Sequence, residues 1–170
     1  MLLGIISCME KQDFDQFDDI GATPVIEGSI LYIESPENLL NQTAAPDFYS
    51  WDFNFDGFSE AVFADRVLDG TVFYELENTT SKELEITVEF LDEGGAVLDT
   101  QIFSIGPAPT AVVEEEVPYG GGSGKSIGII TNTSGIRVTA QNLGDNISVS
   151  TLPDPKIIFR SSGKFRMQLR

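Results

Sequence analysis

The chain has 170 residues, 27 acidic and ten basic, with no histidine, one cysteine and a net charge of −17. That length suits one domain with a real core, and 41% hydrophobic against 22% charged residues excludes wholesale disorder. So negative a surface repels nucleic acid, the lack of His removes the commonest general base, and one Cys makes neither an internal disulfide nor a thiolate zinc cage.

Residues 2–8 read Leu-Leu-Gly-Ile-Ile-Ser-Cys, an apolar run closing on a small residue and the sole cysteine. The run Ile5-Ile6-Ser7-Cys8 resembles the lipobox of bacterial lipoproteins. That resemblance implies a diacylglycerol and acyl chains on Cys8, cleavage before it, and a signal-peptide remnant over 1–7. A basic n-region is missing, so the gene is expected to begin upstream. No later run approaches the length of a membrane-spanning helix, which leaves the lipid as the expected membrane attachment. Residues 8–22, with Glu10, Asp13, Asp15, Asp18 and Asp19, read as an acidic tether. They also resemble the export signal of Bacteroidota surface lipoproteins.

From residue 23 to 170 the pattern is that of a single all-β domain: short alternating apolar runs divided by Gly, Pro, Asn and Asp. Strands are expected at 25–33, 84–90, 97–105, 111–117, 126–131, 136–141, 147–151, 156–160 and 164–170. Between the first two, Ser35 is placed to cap a helical turn beginning at Pro36. The strand over 84–90 alternates without fault and continues through Asp92-Glu93-Gly94-Gly95 into a hairpin. Nine or ten short strands with almost no helical period predict an antiparallel β-sandwich. The segment from Glu77 to Thr100, with a strand ending near Asn78-Thr79 ahead of the hairpin, resembles immunoglobulin-like accessory domains of bacterial surface proteins. The whole chain resembles flavobacterial (Bacteroidota) lipoproteins, which implies a compartment and says nothing of activity. Half of the basic residues fall in the last fifteen positions, where no acid occurs. A strand with a basic solvent face, balancing an acidic body, accounts for them.

Two local patterns compete as sites. Asp52, Asn54, Asp56 and Glu60 fall at positions 1, 3, 5 and 9 of a calcium loop, with Gly57 at the turn. Position 12 is Phe63 rather than the bidentate Glu of an EF-hand, and the run resembles the shorter calcium loops of β-propellers better. The favoured alternative is a half-buried strand with Trp51, Phe53 and Phe55 on one face. Tyr49 and Trp51, with Tyr32, Tyr74 and Tyr119, are candidates for stacking on a sugar, Trp51 foremost. The Gly-rich run from Tyr119 to Ser126 mimics a phosphate loop, but a strand is expected after it, which sets nucleotide binding aside.

Nothing assembles a catalytic set, so no enzyme activity is expected. The reading is a lipid-anchored envelope protein at the outer membrane, on its periplasmic or cell-surface face, acting as an accessory or interaction subunit of a membrane complex or surface component. A calcium-stabilised carbohydrate-binding or adhesion module is the alternative. No cofactor is expected beyond the lipid on Cys8, with Ca²⁺ at 52–60 left open.

Overall fold

A computed structural model describes residues 22–43, 47–110 and 112–169. Cys8 and the tether, apart from Ala22, lie outside the described residues. The strands are β1 (Val25–Pro36), β2 (Asp47–Asn54), β3 (Val67–Asn78), β4 (Leu84–Leu91), β5 (Val97–Ile105), β6 (Val113–Gly120), β7 (Gly135–Asn142) and β8 (Lys156–Met167). They form two antiparallel four-stranded sheets, in the orders β1-β8-β3-β6 and β2-β7-β4-β5. The all-β sandwich is therefore as expected, with eight strands rather than nine or ten. Successive strands change sheet at every step except the β4–β5 hairpin. That is the double Greek key of a jelly roll, whose order differs from the immunoglobulin arrangement of neighbouring strands.

The core is the alternating face of each strand. Val72, Tyr74, Leu76 and Phe159 from the first sheet meet Ile86, Val88, Phe90, Ile136 and Val138 from the second, all buried. Each such side chain contributes on the order of 1.5–3 kcal/mol.

Several expected elements differ. The β3 strand, central to its sheet, was expected only through its end near Asn78. Residues 126–131 form not a strand but α3 (Ile127–Thr131), because the Ser126 hydroxyl accepts from the Gly128 amide (3.2 Å) and caps a turn that buries Ile130. The segments 156–160 and 164–170 are one continuous strand, and 147–151 lies in a loop without strand. Ser35 does not cap; it lies within β1, and Pro36 precedes α1 (Glu37–Gln42) with no side-chain cap.

β8 is an inner strand, flanked by β1 and β3. Its basic residues face solvent and meet acids on both neighbours: Lys156 with Glu34 (3.0 Å), Lys164 with Glu27 (2.7 Å), Arg160 with Glu75 and Arg166 with Asp69. The basic stretch of the sequence is thus a cross-strand partner for the acidic body, as the composition predicts.

One aromatic sets the packing below the short helix α2 (Ala61–Ala64) and the 3-10 turn Asp56–Phe58. The Phe165 ring meets Phe58 and Phe63 edge-on, with centroids 5.2 Å away in both cases. It occupies the space that a Cβ would need at Gly70 on β3 and at Gly163 on β8. Gly70→Ala is therefore expected to cost about 1–3 kcal/mol in urea unfolding. Gly57→Ala, whose added Cβ would meet nothing within 4 Å, should stay within about 0.5 kcal/mol.

Candidate functional site

Residues 143–155 join β7 to β8 without helix or strand. Connections of that length in a compact domain are uncommon, and an ordered one calls for a cause. Here the cause is a polar network buried at one end of the sandwich. Lys82, just before β4, is fully buried, and its ammonium donates to Asp145 Oδ1 (3.0 Å) and to the Ser148 carbonyl (2.7 Å). Asp145 also takes the amides of Ile147 (2.9 Å) and Ser148 (2.7 Å) and the Ser148 hydroxyl. The loop is thereby turned around one carboxylate.

A second carboxylate grips the next turn. Glu37, at the start of α1, is 2% exposed. Its Oε1 accepts from the Ser81 amide and hydroxyl (both 2.6 Å), and its Oε2 from the Ser150 amide (2.9 Å). The Ser150 hydroxyl donates to the Thr79 carbonyl (2.8 Å). Asn78 closes the network from below: its side-chain amide donates to the carbonyls of Lys82 (2.7 Å) and Gly106 (2.8 Å), and its oxygen accepts from Thr80. Burial pushes the Glu37 carboxyl up, but hydrogen bonds from Ser81 and Ser150 and the nearby Lys82 charge outweigh it, so the net shift is downward. Hydrogen bonds from Ser148, Ile147 and Lys82 hold the Asp145 carboxyl far below the usual carboxylate range.

The network draws Ser148 and Ser150 partly inward and leaves the apolar side chains beside them outside. Ile147 is 86% exposed and Val149 69%, with Leu143 and Leu152 exposed to a lesser degree. This end of the sandwich therefore presents apolar side chains to solvent on a loop held by hydrogen bonds.

The residues singled out in the sequence lie elsewhere. Asp52 sits on the outer face of β2, where Arg137 holds it by two hydrogen bonds (2.7 and 2.8 Å) and Glu89 completes the row. The guanidinium lowers the Asp52 carboxyl. Asn54 Oδ1 accepts from the Asp56 amide (3.2 Å), closing a turn. Asp56 and Glu60 line a shallow cavity shared with Asp92 and Glu93 at the β4–β5 turn. The four candidates thus do not converge, and among the described residues no group of three or more Asp, Glu or Cys is placed to hold a metal. Tyr49 and Trp51 share the inner face of the edge strand β2, opposite Ala140 and Val138. Tyr49 packs on the core, and Trp51 is 61% exposed. In the Gly-rich loop, Lys125 is spent on Asp99 (2.8 Å to both oxygens), which also accepts from the buried Tyr119 hydroxyl (2.8 Å). Sequence reasoning missed the loop network; its readable signal was Asp145 followed two and three residues on by the amides it binds.

No family model matches the chain, and no curated protein does. Among solved structures it is similar to the VP2 subviral particle of infectious bursal disease virus (TM-score 0.36, 9% identity, 89% of this chain and 33% of that one). It is also similar to Desmodium yellow mottle tymovirus (0.38, 11%, 88% and 90%) and to a Bacillus endospore appendage (0.39, 12%, 88% and 92%). The chain thus spans about a third of the VP2 chain. At such TM-scores these likenesses carry no argument about this chain.

Lys82→Met is expected to lower the unfolding free energy by about 3 kcal/mol at pH 7, since it strips the Ser148 carbonyl and Asp145 of their buried partner. Glu37 and Asp145 both titrate below their ordinary values when folded. Their contribution is complete above the unfolded value near pH 4 and is lost as the pH falls through the folded one. Melting temperature should hold from about pH 8 to 5 and fall below about pH 4.

Proposed function

We propose that this chain is a non-catalytic interaction module, an accessory subunit held at a bacterial outer membrane by acyl chains on Cys8. The observation that carries the binding role is the 143–155 loop, fixed by buried polar groups while Ile147 and Val149 stand in water. Exposed apolar side chains on an ordered loop gain free energy only when something covers them. A protein partner suits this end best: the side chains are aliphatic and the surrounding rim offers the acids Asp145 and Asp154, which fit an apolar patch edged with basic residues.

The lipid reading rests on Ile5-Ile6-Ser7-Cys8. No helix among the described residues is long and apolar enough to cross a membrane. An acyl anchor would confine the module to the membrane surface and raise its effective concentration beside a partner there. The flavobacterial resemblance supports a Bacteroidota envelope as its setting.

Two measurements test this. Labelled palmitate should enter the wild-type protein expressed from its full gene and not Cys8→Ser. Purified in mild detergent from the membranes of its own host through a C-terminal tag, the protein should bring a stoichiometric partner. Ile147→Asp with Val149→Asp should release that partner while leaving the melting temperature within about 2 °C, since both side chains are exposed. A protein that comes out alone contradicts the subunit role.

A further inference from the structure

The outer face of the β1-β8-β3-β6 sheet carries a trough, and its walls and floor follow from strand register. On β8 the outward residues run Arg160, Ser162, Lys164: long, short, long. On β1 the partners run Tyr32, Ser29, Glu27, with a bulge between Ser29 and Leu31. The short row Ser29–Ser162 continues into Phe73 on β3 and Glu116 on β6. One wall is Tyr32, Arg160 and Glu75; the other is Glu27 with Lys164. A cavity of about 460 Å³ lies over the floor against the first wall, and one of about 420 Å³ shares Ser29, Phe73 and Ser162 against the second.

The walls are already organised. Arg160 is ion-paired to Glu75 and lies 5.9 Å from the Tyr32 ring centroid, while the Tyr32 hydroxyl donates to Glu34 (2.6 Å). Lys164 is paired with Glu27 (2.7 Å). Tyr32 nonetheless remains 60% exposed. β1 is an edge strand and Ser29 is short, so the trough opens at that edge, while Phe73 and Glu116 line it toward β6.

From this geometry we infer that the trough is a binding site for a chain of neutral sugars. A sugar ring offers an apolar CH face and an equatorial rim of hydroxyls. The Tyr32 and Phe73 rings meet the first, and the paired Glu75 and Arg160 groups with the Ser29 and Ser162 hydroxyls meet the second. The cavity has the size of small-ligand sites, on the order of 300–1,000 Å³. The open end at the β1 edge gives a chain of several sugars room to run out of the site. Charge decides between glycan classes. Glu27, Glu75, Glu114 and Glu116 border the trough against Arg160 and Lys164, in a chain of net charge −17, so an acidic polysaccharide is repelled. The site is independent of the 143–155 loop and of the residues 52–60.

Amide NMR titration of the folded domain tests it, with cellohexaose, mannohexaose and laminarihexaose as neutral probes and hexagalacturonate as the acidic one, each to millimolar concentration. At least one neutral hexasaccharide should give saturable shifts centred on Tyr32, Phe73 and Ser162. Tyr32→Ala, at an exposed position, should keep the spectrum of a folded protein and weaken that binding about tenfold, whereas Trp51→Ala on the other sheet should not change it. The inference is overturned if no neutral probe shifts these residues, if Tyr32→Ala leaves binding unchanged, or if hexagalacturonate binds best.

Discussion

Lys82 brings a full positive charge to a point that water does not reach. Removing an ammonium from water costs several kcal/mol unless its donors are answered, and the answer lies 63 residues away in Asp145 and beyond it in the Ser148 carbonyl. Folding the start of β4 therefore requires the β7–β8 connection to be in place, and the reverse holds equally. Glu37 adds an opposite charge from α1 and binds the amides of Ser81 and Ser150. Three chain segments far apart in sequence are locked at one end of the sandwich by two charged groups. In a jelly roll, whose strands change sheet at nearly every step, the connections are long, and such a lock is what gives one of them a single shape.

The lock also explains an inversion. Ile147-Ser148-Val149-Ser150 alternates as strictly as any strand of the protein, and alternation ordinarily marks a buried apolar face. Here the polar members are the ones turned partly inward, because Lys82 binds the Ser148 carbonyl and Glu37 the Ser150 amide. The apolar members are turned outward as a consequence. The loop thus places isoleucine and valine in water and is held by hydrogen bonds rather than by apolar burial. The trough arises differently, from side-chain length along β8, yet the charged groups of its walls are likewise paired, Arg160 with Glu75 and Lys164 with Glu27.

The sandwich was legible because its expected strands, 84–90 above all, alternate apolar and polar residues and are separated by turn residues. The basic solvent face of β8 was legible from charge, but its inner position, with acids paired to it from both neighbouring strands, was not. Topology was not legible, since the one hairpin with a turn signature, β4–β5, is common to jelly-roll and immunoglobulin orders. β3 escaped because Phe73 faces outward into the trough, so that Val72-Phe73-Tyr74 blurs the alternation. α3 escaped because Ile127-Gly128-Ile129-Ile130 suits a strand as well as a helical turn, and only the Ser126 cap separates them. Among site residues, the spacing of Asp52, Asn54, Asp56 and Glu60 did not reveal that Arg137, 85 residues further on, holds Asp52. Long-range ion pairs of this kind leave no local mark in a sequence.

The central claim is that buried polar groups, rather than apolar packing, order the 143–155 loop. Amide hydrogen exchange, read residue by residue, tests it most directly. In the wild type the amides of Ile147, Ser148 and Ser150, which donate to Asp145 and Glu37, should exchange far more slowly than those of a free loop. In Glu37→Gln and in Lys82→Met this protection should fall while that of β4 and β7 amides persists. Fast exchange of these three amides in the wild type, or protection unchanged in both variants, would contradict the account.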